Sequence, residues 1–361
     1  MNLIKRYKLL FLNLIIIIIN IFFLNKKKFH FKNSDEYIFY NLKNFSFPKQ
    51  KLEINYSMPK INISLICKDN LNNTACSNNI KQKLEKLNYI VYLDDEHPDY
   101  LIYDVFGCEH INPKYDESIK IALYSENIIP DFSETDYATS QAHLIYLDRY
   151  YKYPSFIWNL YKFRKLKVGN IRMLANNLKK TKFCAAVISN YQNYSYFRLN
   201  FIKELNKYKH VDMGGDYLND FGIHIQDKIK FLSSYKFSIS MENSNGDGYI
   251  SEKIIDSLIA GTIPIYYGDY LIDEYINPKC LIMIKGEKDI QSKIDYIIKI
   301  DNDDKLYNSI LKEPIFLNDN YIDIMRKIEK EQSSFFYHIF LQDKKRAKRI
   351  DDINKIYNCV K

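Results

Sequence analysis

A carboxylate and an ammonium stand side by side at Glu252 and Lys253, just after a polar, glycine-containing run from Glu242 to Gly248. Where a loop leaves the carboxyl end of a strand and opens a helix, free N–H groups and the positive end of the helix dipole favour an anion, above all a phosphate. Lys253, in the first helical turn, adds a full charge. Glu252 would repel a phosphate, so its partner is a neutral hydroxyl or a backbone N–H. Glu242 is expected to bind hydroxyls or to orient its neighbours. Asn243 and Tyr249 are placed to shape a pocket by hydrogen bonds and stacking against a ribose or a base. A ligand with a diphosphate at one end and a polyol at the other would use all of these groups, and that describes a nucleotide sugar.

The elements that must position these residues are readable around them. Phe237, Ile239 and Met241 alternate with serines, the period of a strand, and Ile250, Ile254, Ile255, Leu258 and Ile259 recur at helical spacing. Gly261 marks the helix end, and Thr262 to Tyr267 reads as a second strand. Strand, helix and strand make a βαβ unit and therefore a parallel sheet. Upstream, Lys182 to Ile188 reads as a strand, followed by a helix from about Tyr194 to Tyr208 with Arg198 in its early turns. A guanidinium fork there suits phosphate oxygens, and a surface ion pair is the plainer role. The first half reads as strands at 61–67, 89–93, 100–103, 119–124 and 143–147. Glu126 follows the fourth of these; by residue type alone it is a turn or helix-entry carboxylate. Two α/β alternations without a G-x-G-x-x-G fingerprint suggest two Rossmann-like domains facing a cleft, the GT-B architecture, and disfavour a dinucleotide oxidoreductase.

The order ENS, YISEK and AGTIPIYYG within Phe237–Asp269 resembles the signature of the α-1,3/1,4-fucosyltransferase family, glycosyltransferase family 10. Asp247 and Gly248 lie in a segment where that family varies. SNYQNYSYFRLNFIKEL looks like the family's S-N-x(n)-R-x-x-F-x-x-L segment, whose arginine contacts the donor, here Arg198. YSENIIPDF resembles its E-N-x-x-P-x-F segment, whose glutamate is the general base, here Glu126. The resemblance implies an inverting transfer of L-fucose from GDP-β-L-fucose to an N-acetylglucosamine-containing glycan, with Arg198 and Lys253 stabilising the departing GDP. It implies no tightly bound cofactor; a divalent cation, if used, is non-essential. Two alternatives stay open: a transferase on the same scaffold using another nucleotide sugar, and a non-catalytic, membrane-anchored glycan-binding descendant.

Length and composition fit this plan. With 361 residues, 47% of them hydrophobic, the chain holds two domains of ordinary size. Tyr7 to Leu24 carries one charge-bearing residue, Lys8, at its start, and 9–24 is expected to be an uncleaved signal-anchor. The expected layout is a tail at 1–8, the anchor at 9–24, a stem at 25–59, an acceptor-side domain at 60–155, a linker at 156–180, a GDP-fucose-binding domain at 181–340 and a basic tail at 341–361. By resemblance the protein is single-pass type II, facing the Golgi lumen in a eukaryote. The charge of +8 brings no nucleic-acid module with it. The six cysteines include no C-x-x-C pair, and the histidines no H-x-x-x-H, so no metal site is expected. Asp301-Asn302-Asp303-Asp304 has the D-x-D form of metal-dependent transferases, but lies between helical stripes and reads as a turn and cap.

Overall fold

Short runs rich in Ile, Ala and Tyr, buried on both faces, are what a parallel sheet covered by helices requires. In a computed structural model, residues 60–66, 81–82, 84–85, 89–165, 180–189, 196–216, 218–244, 247–316 and 321–341 are described. Strands β1 (Lys60–Ile66), β2 (Ile90–Leu93), β3 (Tyr100–Tyr103), β4 (Ile119–Leu123), β5 (Tyr137–Ser140) and β6 (Tyr150–Lys152) form one sheet in the order β2-β1-β3-β4-β5-β6. Strands β7 (Lys182–Val187), β8 (Val211–Gly214), β9 (Tyr235–Met241), β10 (Ile263–Tyr267) and β11 (Ile282–Met283) form another, in the order β11-β10-β9-β7-β8. Every ladder is parallel. Each order reverses beside the first strand of its sheet, and ligands of doubly wound sheets bind beyond the carboxyl ends at that switch. In the second sheet the switch lies between β7 and β9, the strands that lead to Arg198 and Glu242.

The helices are α1 (Ile157–Lys165), α2 (Tyr196–Leu205), α3 (Lys228–Leu232), α4 (Glu252–Ile259), α5 (Ile290–Asn302), α6 (Asp304–Lys312) and α7 (Tyr321–Leu341). Although α7 follows the second sheet in the chain, its aromatic face lies on the first. Phe335 packs 5.9 Å from the Tyr151 ring, Phe340 lies 4.7 Å from the Tyr100 ring, and His338 meets Asp148 at 2.9 Å. The core under the first sheet continues through α1 and α4, so Ile63, Phe163, Ile254, Leu258 and Phe335 belong to one apolar cluster. All described residues lie within one compact unit, 47–361.

One sequence expectation differs from what is observed. The apolar run at 143–147 is not a strand; the pairing strands are β5 and β6 on either side of it. Tyr137-Ala138-Thr139-Ser140 is buried throughout and therefore shows no alternation, whereas Tyr146 and Leu147 point to solvent despite their apolar side chains. The serines of β9 are buried. Ser240 Oγ meets Ser257 Oγ of α4 at 2.6 Å, and Ser238 Oγ meets Thr262 Oγ1 at 2.6 Å. Small hydroxyls paired in this way let α4 approach the sheet closely without leaving a buried polar group unsatisfied.

Asp303 caps α6, accepting from the Lys305 and Leu306 N–H groups, while Asp301 holds Lys209 at 2.6 Å and Lys236 at 3.0 Å. The acidic run is thus structural. Cys108 and Cys184 are free thiols and Cys280 is buried; Cys67 and Cys76, the expected anchor and stem, and the basic tail from 342 lie outside the described residues. Among the described residues no helix is long and apolar enough to cross a membrane.

Candidate active site

The donor-side half is built where β9 runs into α4. Ile250, Ile254, Ile255, Leu258 and Ile259 bury one face of α4, each contributing about 1.5–3 kcal/mol, and Gly261 at φ +70° ends the helix. That packing fixes the helix start against the end of β9. Glu242, completely buried, accepts from the Ser251 N–H at 2.8 Å, from Ser251 Oγ at 2.7 Å and from Lys253 Nζ at 2.9 Å. Lys253 Nζ also donates to Ser251 Oγ at 3.0 Å, which leaves one of its three donors for a ligand. Arg198, on α2 across the switch, is 3% exposed and donates from Nη1 toward the Met241 carbonyl at 3.5 Å. Burial lowers its pKa from the usual value, and the Glu242 carboxylate opposes that shift.

These contacts change one expectation. The first amides of α4 are not free for a phosphate: Ser251 N–H goes to Glu242, Glu252 N–H to its own carboxylate, and Lys253 N–H to Ser251 Oγ. Burial works against ionisation of Glu252, yet Lys253, Lys228, its own N–H and Lys162 hold its carboxyl below the ordinary value. An ionised Glu252 at the helix start repels an anion there. The cationic groups that remain beside this helix start are the Arg198 guanidinium and the remaining Lys253 donor. Asn243 Oδ1 is buried without a hydrogen-bond partner, an acceptor open to a ribose hydroxyl or base N–H.

The other half comes from the first sheet. Glu126, exposed, follows β4, and its neighbour Asn127 donates from Nδ2 to Ser244 Oγ at 2.7 Å, two residues beyond Glu242. Tyr249 is buried; desolvation raises its pKa above the ordinary 10.0, and the negative charges of Glu242, Glu126 and Glu252 add to the shift. The charges of both sheets thus act on one phenol, and the Asn127–Ser244 hydrogen bond ties their two loops together. Glu126, Tyr249, Glu242, Glu252, Lys253 and Arg198 are brought together, with Asn243 beside them.

Sequence reasoning missed the residues that join the halves. The buried Gln141 at the end of β5 contacts the Ser125 carbonyl and the Ile250 amide. His143 donates its backbone N–H to the Asp247 carbonyl at 3.2 Å, and its imidazole meets the Asp269 carboxylate at 2.9 Å. Gly248, at φ +99°, lies so close to the Gln141 carbonyl that an added Cβ would stand 1.9 Å from it. No motif or periodicity marks these positions, because each acts through a partner more than a hundred residues away in the chain. Among the described residues no cluster of three or more His, Cys, Asp or Glu side chains converges to hold a metal ion.

Residues 66–161 match the family model described as the alpha-(1,3)-fucosyltransferase FucT N-terminal domain, and residues 177–315 that of glycosyltransferase family 10 (fucosyltransferase), C-terminal part. The alpha-(1,3)-fucosyltransferase FucT of Helicobacter pylori is 30% identical over 229 residues, 55% of this chain and 48% of the relative. The 4-galactosyl-N-acetylglucosaminide 3-alpha-L-fucosyltransferase 9 of Pan troglodytes is 30% identical over 134 residues, 36% of each chain. The chain thus spans about half the length of the first relative and about a third of the second. A crystal structure of an alpha1,3-fucosyltransferase with GDP superposes with TM-score 0.61 at 25% identity, covering 84% of this chain and 95% of that one.

Proposed function

The chain belongs to glycosyltransferase family 10, and from that membership we propose that it transfers fucose from GDP-fucose to a hydroxyl of an N-acetylglucosamine-containing glycan with inversion. The observation that carries the reading is the hydrogen bond from Asn127, beside Glu126 on one sheet, to Ser244, two residues beyond Glu242 on the other. A base and a cationic diphosphate site facing each other are what an in-line displacement at an anomeric carbon needs.

In this reading Glu126 takes the proton of the acceptor hydroxyl as its oxygen attacks the anomeric carbon. The bond to the GDP oxygen breaks on the opposite side, and Arg198 with the free Lys253 donor stabilises the charge that develops on the diphosphate. Glu242 holds Lys253 in place instead of touching sugar. The orphaned Asn243 Oδ1 supports a nucleotide pocket, since leaving a buried acceptor unsatisfied costs about 1–3 kcal/mol unless a ligand donor fills it. GDP as the nucleotide is supported by the relative solved with GDP, and an N-acetylglucosaminide acceptor by the name of the Pan troglodytes relative.

The test is turnover of labelled GDP-fucose on lactosamine acceptors, with linkage analysis of the product. Glu126→Gln should lower kcat by about 10²–10⁴-fold, the range for loss of a general base, while GDP still raises Tm as it does in the wild type. Stabilisation by UDP-sugars but not by GDP-fucose would replace the donor. Undiminished turnover in Glu126→Gln would remove the base.

A further inference from the structure

One buried neutral side chain reaches both the loop that carries Glu126 and the loop that opens α4. Gln141 is 1% exposed and directly follows β5. Its Nε2 donates to the Ser125 carbonyl at 2.7 Å, immediately before Glu126. Its Oε1 accepts the Ile250 N–H at 3.1 Å, immediately before the Ser251 cap that Glu242 holds, and the Ser155 N–H at 3.3 Å. The amide orientation is forced, because a flipped group would set its NH₂ against two N–H donors and its oxygen against a carbonyl. Ser155 closes the arrangement by donating from Oγ to the Ile250 carbonyl at 3.4 Å. The Gln141 backbone takes part as well, since its carbonyl forms the floor under Gly248.

We propose that Gln141 is a positioning residue that sets the distance between Glu126 and the Arg198–Lys253 diphosphate site. The proposal rests on the fucosyl-transfer reading and adds what fixes the span between its two halves. A side chain that donates to the loop of one sheet and accepts from the loop of the other acts as a spacer of fixed length. The chain offers few substitutes for it: leucine and methionine have the volume but neither bond, and glutamate can accept but, when ionised, cannot donate. Because Gln141 is uncharged and touches neither the base carboxylate nor the cations, it acts only through where it holds them. A displacement of about 1 Å between reacting groups costs about 10²-fold in rate, so its effect belongs in kcat and not in the affinity for GDP.

The experiment uses the full chain. In Gln141→Glu one carboxylate oxygen can still accept from Ile250 and Ser155, while the other faces the Ser125 carbonyl across 2.7 Å and pushes the base loop away. Its kcat should fall by about tenfold or more, with the calorimetric Kd for GDP within about threefold of wild type. Gln141→Met, with similar volume and no charge, should show the same loss of kcat and serves if the added charge unfolds the chain. Ile297→Val, a buried change beneath the second sheet, lowers Tm without touching the site and should leave kcat per folded molecule unchanged. If wild type transfers fucose but both Gln141 variants keep kcat within twofold, or lose activity only in step with folded fraction, the positioning role is wrong. If wild type binds no GDP and transfers no fucose, the functional reading fails, and the role with it.

Discussion

Gly248→Ala tests whether the donor loop is seated on the first sheet. Gly248 has φ +99°, and an alanine Cβ there would lie 1.9 Å from the Gln141 carbonyl oxygen and 3.1 Å from the Ala142 Cα. Both obstacles are backbone, so no side chain can swing aside. Restoring ordinary contact at 3.4 Å requires a displacement of about 1.5 Å. The left-handed backbone costs alanine about 1–2 kcal/mol. Loss of the His143–Asp247 and Gln141–Ile250 hydrogen bonds adds about 1 kcal/mol each. The sum, about 3–4 kcal/mol, corresponds to a Tm lower by about 6–8 °C at about 2 °C per kcal/mol. A loop displaced by more than an ångström should also lose about 10²-fold in kcat/KM. Two other glycines separate the contributions. Gly222, at φ +66° with nothing within 4 Å, carries the backbone cost alone. Gly286, extended at φ 163° and in open space, carries neither and should gain about 0.4–1 kcal/mol as alanine. Thermal unfolding and steady-state kinetics on the three variants should rank Gly248 far below Gly222, and Gly222 below Gly286. If Gly248→Ala matches Gly222→Ala in both Tm and kcat/KM, the loop does not rest on Gln141.

Two further outcomes follow from the charges. Glu242→Gln leaves Lys253 without its carboxylate and should lower the ligand-free Tm, since breaking a buried pair costs about 3–5 kcal/mol. A diphosphate can then replace the lost counter-charge, so the Tm rise on adding GDP should exceed that of wild type; a smaller rise would show that Lys253 does not face the phosphates. Burial raises the pKa of Asp269, but His143, Lys152 and the Leu271 N–H outweigh it and hold the carboxyl below its usual 3.8. A carboxyl lowered in the native state contributes stability that is complete above its unfolded pKa and is lost as pH falls through the native value. The unfolding free-energy gap between wild type and Asp269→Asn, measured in urea, should therefore be constant above about pH 5 and shrink toward about pH 2; a gap that widens on acidification would contradict this.

The sequence revealed those parts of the site whose residues act near their own place in the chain. The isoleucine stripe of α4 and the glycine that ends it share a local period, so the βαβ unit and the side chains it presents could be read directly. Arg198 was legible because it lies one turn into a helix after a strand. Glu126 was legible through a motif, not through physics: its type and neighbours suit any turn, and only the bond from the adjacent Asn127 to Ser244 shows what its loop faces. Gln141, His143 and Asp269 were illegible because their partners lie 16 to 126 residues away and no periodicity encodes such pairings. The serines of β9 gave the strand its legible period, but alternation records which residues differ in polarity, not what each face meets, and here the polar face meets α4.

The charge pattern explains why the cations come from two different helices. A phosphate site made from a helix start alone needs open amides and a favourable dipole, yet α4 begins with Ser251 committed to Glu242 and with Glu252 ionised beside it. Those carboxylates give the loop its shape, because Glu242 binds the cap and Lys253 together and so fixes the end of β9 to the start of α4. They also make the helix start unsuitable for an anion by itself. Arg198 resolves the conflict from the far side of the switch, where α2 follows β7. It brings a charge that remains protonated despite burial, drawn toward the same Glu242. In the proposed reaction a diphosphate entering between β7 and β9 would meet Lys253, held by the buried Glu242, and Arg198, directed at the Met241 carbonyl, with little reorganisation left for the reaction to supply. The acidic residues around Tyr249 then have a consistent division of labour. Glu242 and Glu252 are tied to lysines and the backbone, and in the proposed reaction Glu126, exposed on the opposite sheet, is the carboxylate left to take a proton.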